Sequence, residues 1–222
     1  MSRCKWPNNC SSCSHKFDIM KFIIAIVAVS SFSGTTLAFA PSASSRIATA
    51  LNAKVGIYYS TQTGNCEIVA EYIAQAAGLE FADIGDVSDD MILGLDSIIV
   101  GAPTWNTDEE EERSGTEWDT WLYSSLPKLD LSGKKVAVFG VGDQQSYNDY
   151  YCDAAGELYD QFKKCGCTMC GFTSIEGYEH SASKAERDGK FVGLMCDEDN
   201  QYDLSEGRAK DWVDQLKGEG FF

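Results

Sequence analysis

The sequence predicts a doubly wound α/β domain in which five parallel strands are covered on both faces by helices. Three observations carry this. Short apolar runs alternate with segments whose apolar residues recur at helical spacing, the pattern of repeated strand-helix units. The runs read as strands buried in a sheet rather than exposed on one face. A front end of different composition covers residues 1–52, and the stretch 53–222 that follows is long enough for one such sheet.

The first strand is read at Lys54-Val-Gly-Ile-Tyr-Tyr59. A Thr/Gly loop follows, and then a helix over Glu67–Ala77 with apolar residues at 68, 69, 72, 73 and 76. Further strands are expected at 79–83, 97–101 and 135–140, with helices near 88–93, 116–125, 153–164 and 205–217. The last strand reads as broken, with one piece near 168–174 and another at Phe191–Cys196, separated by a polar insert over 175–190. Five strands in one such sheet correspond to the spatial order 2-1-3-4-5, with a ligand expected beyond their carboxyl ends.

Charge separates the two parts of the chain. The 222 residues carry a formal charge of -16. Residues 1–52 hold Arg3, Lys5, Lys16, Lys21 and Arg46 against one acid, Asp18, so they carry +4 and the remainder -20. A domain this acidic is a poor holder of nucleic acid or of an anionic membrane, and its expected partners are basic protein surfaces. In the front end, Met20-Lys21 precede the apolar run Phe22–Val29 and a small-residue stretch ending at Ala38. That run is too short to span a bilayer and reads as a secretory signal over 20–38, with 1–19 as an upstream extension. Residues 39–52, rich in Ser and Ala with one Arg and no acid, read as an organelle transit peptide. The join Leu37-Ala-Phe-Ala-Pro41 resembles the junction of the two-part plastid presequences of diatoms and related algae, which implies delivery to the plastid stroma without stable membrane insertion.

Chemistry is expected in three strand-end loops. Ser60-Thr-Gln-Thr-Gly-Asn-Cys66 lies between the first strand and the first helix, where free N–H groups, Thr hydroxyls and a Gly suit a phosphate monoester. It lacks the Gly-Lys-Ser/Thr of a nucleotide-triphosphate loop and the three glycines of a dinucleotide fingerprint. Gly101-Ala-Pro-Thr-Trp-Asn106 follows the third strand, and Gly140-Val-Gly-Asp-Gln-Gln-Ser-Tyr147 the fourth. Together they bring a phosphate nest and two aromatics, Trp105 and Tyr147, to one edge, which suits a flat ring with a phosphate tail.

These loops resemble those of long-chain flavodoxins, and the resemblance runs from about Lys54 to Leu216. The stretches Ser183–Leu194 and Asp197–Gln201 are similar to the insert and last strand of that class. The resemblance implies a flavodoxin-like sheet, bound FMN, no catalytic residues and no metal. It places Ser60, Thr61, Gln62, Thr63, Gly64, Asn65 and Cys66 around the FMN phosphate. Trp105 and Tyr147 would sandwich the isoalloxazine, with the backbone of Asn106, Gly142 and Asp143 at its edge. Pro103, Thr104, Thr107, Gly140, Val141, Tyr150 and Asp153 complete the candidate set. The family usually has Thr or Ser where this chain has Cys66, and a thiol is the weaker donor, so one phosphate bond is expected to be weakened.

The function implied is that of a monomeric, low-potential one-electron carrier. It would pass electrons from photosystem I to ferredoxin-NADP reductase in place of ferredoxin, a role associated in many relatives with iron limitation. A phosphate loop without Lys or Arg, the charge of Asp143 and the run Asp108–Glu112 all oppose adding negative charge to a flavin. The family turns a backbone carbonyl toward the ring N5 on reduction. The matching peptide is Asn106-Thr107, where a β-branched residue resists the turn that a Gly would allow. Two rivals stand beside this reading, a flavin-dependent NAD(P)H:quinone reductase and a non-redox flavin-binding interaction module. Cys165, Cys167 and Cys170 form a Cys-x-Cys-x-x-Cys pattern without an obvious fourth ligand, and are read as packing thiols.

Overall fold

The alternation read from the sequence folds into strands and helices in the same order. A computed structural model describes residues 53–222, so the expected extension, signal and transit segments (1–19, 20–38 and 39–52) lie outside the described residues. Strand β1 (Val55–Tyr59) leads into helix α1 (Asn65–Ala77), then β2 (Phe81–Asp83), the short α2 (Asp89–Leu93) and β3 (Ser97–Pro103). Helix α3 (Glu117–Ser124), β4 (Lys135–Val141) and α4 (Asp153–Lys164) follow. The chain then forms β5 (Thr168–Cys170), β6 (Thr173–Ser174), β7 (Glu186–Arg187), β8 (Lys190–Phe191) and β9 (Gly193–Cys196), and ends in α5 (Tyr202–Gly218).

The main sheet runs β2-β1-β3-β4-β5, all pairs parallel, which is the expected order 2-1-3-4-5. Alternate strand residues face opposite helical layers. Ile98, Val100, Val136 and Val138 pack with Trp118, Trp121, Leu158 and Phe162 from α3 and α4. Ile57, Ile99, Ala137 and Phe139 pack with Val69, Ile73, Trp212 and Leu216 from α1 and α5. With a layer on each side, the strands read as continuous apolar runs.

The broken last strand is real, but its boundaries differ from the sequence reading. Strand β5 pairs with Lys135–Ala137 at the start of β4, and β9 pairs with Val138–Val141 at its end, so the two share the fifth position. Thr173–Ser174 does not extend β5. It joins β8 and β7 in a small antiparallel sheet, order β6-β8-β7, that includes Phe191 and had no periodic signal of its own. The exit is made at Gly171, φ 80°, whose carbonyl accepts the Trp212 indole N–H at 2.7 Å. The return depends on Gly193, where a Cβ would stand 1.8 Å from the Val138 carbonyl oxygen. No side chain fits between β9 and β4 at that position.

Candidate functional site

The loops that leave β1, β3 and β4 converge on one edge of the sheet around a cleft of about 170 Å³. Thr63 and Asn65 line it from the first loop, Pro103, Thr104, Trp105 and Thr107 from the second, and Val141, Gly142, Asp143 and Tyr147 from the third. Trp105 and Tyr147 are 49% and 57% exposed. Large aromatics left open on a cleft are surfaces for a ligand rather than core. The volume falls below the roughly 300–1,000 Å³ of an enclosing pocket, so a flat ring held here keeps one edge at the surface.

The first loop turns into α1 at Gly64, φ 96°, whose N–H donates to Thr61 Oγ1 at 3.0 Å. Ile68 N–H is the first to bond within the helix, to the Gly64 carbonyl at 3.0 Å. Among the described residues, no acceptor pairs with the N–H groups of Thr63, Asn65, Cys66 or Glu67. Free donors at a helix N-terminus, with the hydroxyl of Thr63 beside them, suit an anion. Ser60, Thr61 and Gln62 face an adjoining groove with Asp83, Asp86 and Glu117 rather than the cleft. There Ser60 Oγ donates to Asp83 at 3.0 Å, and Gln62 Nε2 donates to the Gly115 carbonyl.

Cys66 is placed differently from the expectation. Helix α1 begins at Asn65, two residues earlier than read, and turns the Cys66 side chain into the core, fully buried with Tyr59, Val69 and Cys196. Burial, followed by the neighbouring Cys196 and Asp83, pushes its thiol well above the ordinary value. Its backbone N–H stays among the free donors of the helix end while the thiol is buried, so the thiol-for-hydroxyl exchange does not act through a side-chain bond to a ligand in the cleft.

The second loop is closed at its base. Trp105 and Asn106 N–H both donate to the Arg113 carbonyl, at 3.0 and 3.1 Å, and Asn106 Nδ2 donates to the Glu112 carbonyl at 2.6 Å. Asn106 N–H is therefore committed within the loop, leaving its carbonyl for a ring edge. Glu112 holds a left-handed φ of 59°, whereas Thr107 is not among the non-glycine residues at positive φ. The acidic run Asp108–Glu112 is exposed at the tip.

Asp143 organises the third loop. Its Oδ1 accepts from Gln145 N–H at 2.9 Å, Ser146 N–H at 2.8 Å and Asn200 Nδ2 at 2.8 Å, while its carbonyl accepts Tyr147 N–H at 3.0 Å. Burial raises its carboxyl pKa, but the hydrogen bonds from Ser146, Asn200 and Gln145 together outweigh that and hold it below the ordinary value. Gly142 N–H is spent on the Cys196 carbonyl at 3.1 Å, so of the two glycine-loop amides expected at a ring edge only that of Asp143 is uncommitted among the described residues.

Besides Ser60, Thr61, Gln62, Gly64, Cys66 and Asn106, three further expected residues, Gly140, Tyr150 and Asp153, are absent from the cleft lining. Gly140 lies inside β4, where a Cβ would meet Ala155 at 2.7 Å, so it is a packing glycine. Tyr150 donates to Asp108 at 2.6 Å and ties the third loop to the acidic tip. Asp153 is buried under the insert and accepts Lys184 N–H at 2.7 Å. Burial raises its pKa despite that bond and the nearby Arg113. Conversely, Asp199 lines the cleft and was not expected there, and its pKa is raised by burial and by Asp143 and Asp197. Asp197 Oδ2 accepts Gln144 N–H at 3.1 Å and so fastens the third loop to the end of β9. The stretch 197–201 carried the signal for both, through its resemblance, but without assigned roles. Among the described residues, no basic side chain lines the cleft.

The cysteine pattern forms no cluster. Cys167 Sγ donates to the Leu131 carbonyl and Cys170 Sγ to that of Thr168, and among the described residues no group of three His, Cys, Asp or Glu is placed to hold a metal.

Comparison with known proteins agrees with this geometry. The family model "Flavodoxin" matches residues 57–212. A flavodoxin of Picosynechococcus sp. is 44% identical over 168 residues, covering 74% of this chain and 96% of its own. A flavodoxin of Nostoc sp. is 44% identical over 172 residues, covering 76% and 98%. Among solved structures, the Fusobacterium nucleatum flavodoxin bound to flavin mononucleotide superposes with a TM-score of 0.67 at 28% identity, covering 74% of this chain and 97% of that one.

Proposed function

Since the chain belongs to the flavodoxin family, we propose that its cleft holds FMN and that it carries single electrons at low potential. We further propose the route from photosystem I to ferredoxin-NADP reductase, in place of ferredoxin, in a plastid stroma reached by a signal and a transit peptide. The protein is an electron carrier and not an enzyme, as its relatives are. The observation that carries the cofactor reading is the cleft itself. Two open aromatics, Trp105 and Tyr147, line the same cleft as Thr63 and Asn65 at the amino end of α1.

The residues fit the group. The free amides of Thr63, Asn65, Cys66 and Glu67 and the Thr63 hydroxyl would hold the phosphate, and the aromatic pair would hold the ring. FMN supplies the capacity to accept and release one electron at a time. The protein's part is electrostatic. Asp143 and Asp199 line the cleft, and among the described residues no Lys or Arg does. Each of these disfavours added negative charge, and 1.4 kcal/mol of such repulsion lowers a one-electron potential by roughly 59 mV. The closed base of the second loop and the Asp143 network keep both ring-facing segments in place.

The route is supported by the cyanobacterial source of the relatives reported above, by the AFAP-type join at 38–41, and by the exposed acids of the second loop beside Trp105. Adding FMN to the purified protein tests the cofactor reading, with a bound yellow flavin expected and a protein that takes up none overturning it. Photoreduction of NADP by illuminated photosystem I and ferredoxin-NADP reductase, with this protein replacing ferredoxin, tests the route. An absence of NADPH there, with FMN bound, rejects the route alone.

A further inference from the structure

Helix α4 contributes a carboxylate that no part of the function so far described uses. Glu157 is buried, and its side chain leaves the core toward the base of the second loop. Glu157 Oε1 accepts Glu112 N–H at 2.8 Å, and Oε2 accepts Arg113 N–H at 2.9 Å. Tyr123 Oη also donates to Oε1, and Gln161 Nε2 donates to Tyr123 Oη at 3.3 Å. The same two residues supply, on their carbonyl side, the acceptors for Trp105 N–H, Asn106 N–H and Asn106 Nδ2. A continuous line of hydrogen bonds therefore runs from α4 through residues 112–113 to the backbone amides of Trp105 and Asn106, beside the Trp105 and Thr107 side of the cleft.

Among the described residues, no other side chain accepts from the N–H groups of Glu112 and Arg113. Glu112 occupies the left-handed region at φ 59°, which a non-glycine residue holds only when its surroundings fix it. Arg113 is buried with its Nε unpartnered, so its side chain gives no hydrogen bond from that atom to hold the turn. The second carboxylate anchor, Asp119, accepts Ser114 and Gly115 N–H, which lie beyond the loop base. The carboxylate of Glu157, accepting three donors with two oxygens, is the group that sets where residues 112–113 sit.

We propose that Glu157 is a positioning residue of the flavin site, fixing Trp105 and the Asn106-Thr107 peptide through the backbone of Glu112 and Arg113. This rests on the reading of the cleft as an FMN site. Replacing it by Gln preserves shape but turns one acceptor into an NH2 donor that opposes a backbone N–H, so one of the two loop bonds is lost.

The test is Glu157→Gln in the full chain, read in two ways. In the FMN-free protein, amide exchange at Trp105 and Asn106 is expected to quicken about ten-fold, as loss of one charge-assisted bond implies, while exchange at Ile98 and Val100 in β3 stays unchanged. In the FMN-loaded protein the separation of the two one-electron potentials is expected to shift by about the equivalent of that ten-fold factor, ~59 mV. A folded variant with unchanged exchange at Trp105 and Asn106 overturns the proposal, and so does quickened exchange with both potentials unmoved, since a merely structural role ends there. If Glu157→Gln does not fold, Tyr123→Phe removes a donor that holds the carboxylate, and about three-fold effects in the same readouts are expected. Their absence overturns the proposal equally. A wild-type protein that takes up no FMN removes the reading of the cleft, a result kept distinct because the exchange measurement needs no flavin.

Discussion

Replacing Thr107 by Gly should move the two redox steps of the bound flavin in opposite directions. The backbone around this residue leaves little freedom to share a rotation. Asn106 is held on its amino side by its N–H to the Arg113 carbonyl at 3.1 Å and by its side chain to the Glu112 carbonyl at 2.6 Å. A turn of the Asn106-Thr107 peptide toward a ring edge therefore falls on Asn106 ψ and Thr107 φ. Thr107 is at negative φ in this structure, and carrying a non-glycine L residue into the left-handed region costs about 1–2 kcal/mol. Glycine does not incur that cost. At 59 mV for roughly 1.4 kcal/mol in a one-electron couple, Thr107→Gly should raise the first potential and lower the second by roughly 40–85 mV each. An anaerobic titration followed by absorbance measures both. The variant also loses about 1 kcal/mol of stability through the entropy of the new glycine, but that loss weighs on both steps alike. Equal separations in the two proteins would show that the peptide does not turn through Thr107, and the argument would fail.

Three other outcomes follow from the site. Changing Glu109, Glu110, Glu111 and Glu112 to Gln should slow electron transfer with a basic partner at low ionic strength by roughly ten-fold and have little effect at high salt; stopped-flow rates that are unchanged at low salt leave these exposed acids as a solvated loop only. Asp143→Ala removes three hydrogen bonds to one carboxylate oxygen and should cost about 2 kcal/mol at neutral pH. Because the Asp143 pKa is lowered in the fold, its contribution is present above the unfolded carboxyl value of about 4 and is lost as pH falls through the folded value. The stability gap between wild type and Asp143→Ala, measured by urea unfolding, should therefore close on acidification. Cys66→Ser should destabilise the protein by about 1–3 kcal/mol through a buried hydroxyl, yet leave FMN affinity within about two-fold, because the side chain points to the core; a marked tightening in a flavin titration would restore the original expectation of a weakened phosphate bond.

The candidate site was legible where residue type and position in the unit coincide. Thr63 and Asn65 at a strand-helix junction, and Trp105 and Tyr147 in the two later loops, could be placed beside one another because parallel strand ends share an edge. Asn65 and Cys66 were read as loop because helical periodicity begins only at residues 67–69, while the helix itself is set by Gly64 at φ 96° and starts before its first apolar repeat. The small sheet of β6, β7 and β8 was illegible for a related reason. Its strands are two residues long, shorter than any periodic window. The resemblance implies a place beside the flavin for Tyr150 and Asp153, but the irregular segment before α4 directs the first to Asp108 and the second under the insert.

The alternation of apolar runs and amphipathic segments sufficed to determine the sheet, its order and the edge on which a ligand sits, because each is a local pattern combined with a general rule of handedness and connection. Which amides remain free was decided only by tertiary structure. Gly142 N–H is taken by Cys196, Asn106 N–H by Arg113, and the loop that presents Trp105 is held by Glu157 from a helix more than forty residues further along the chain. No local pattern encodes those bonds, since each depends on where a distant backbone comes to rest once the two apolar layers have packed.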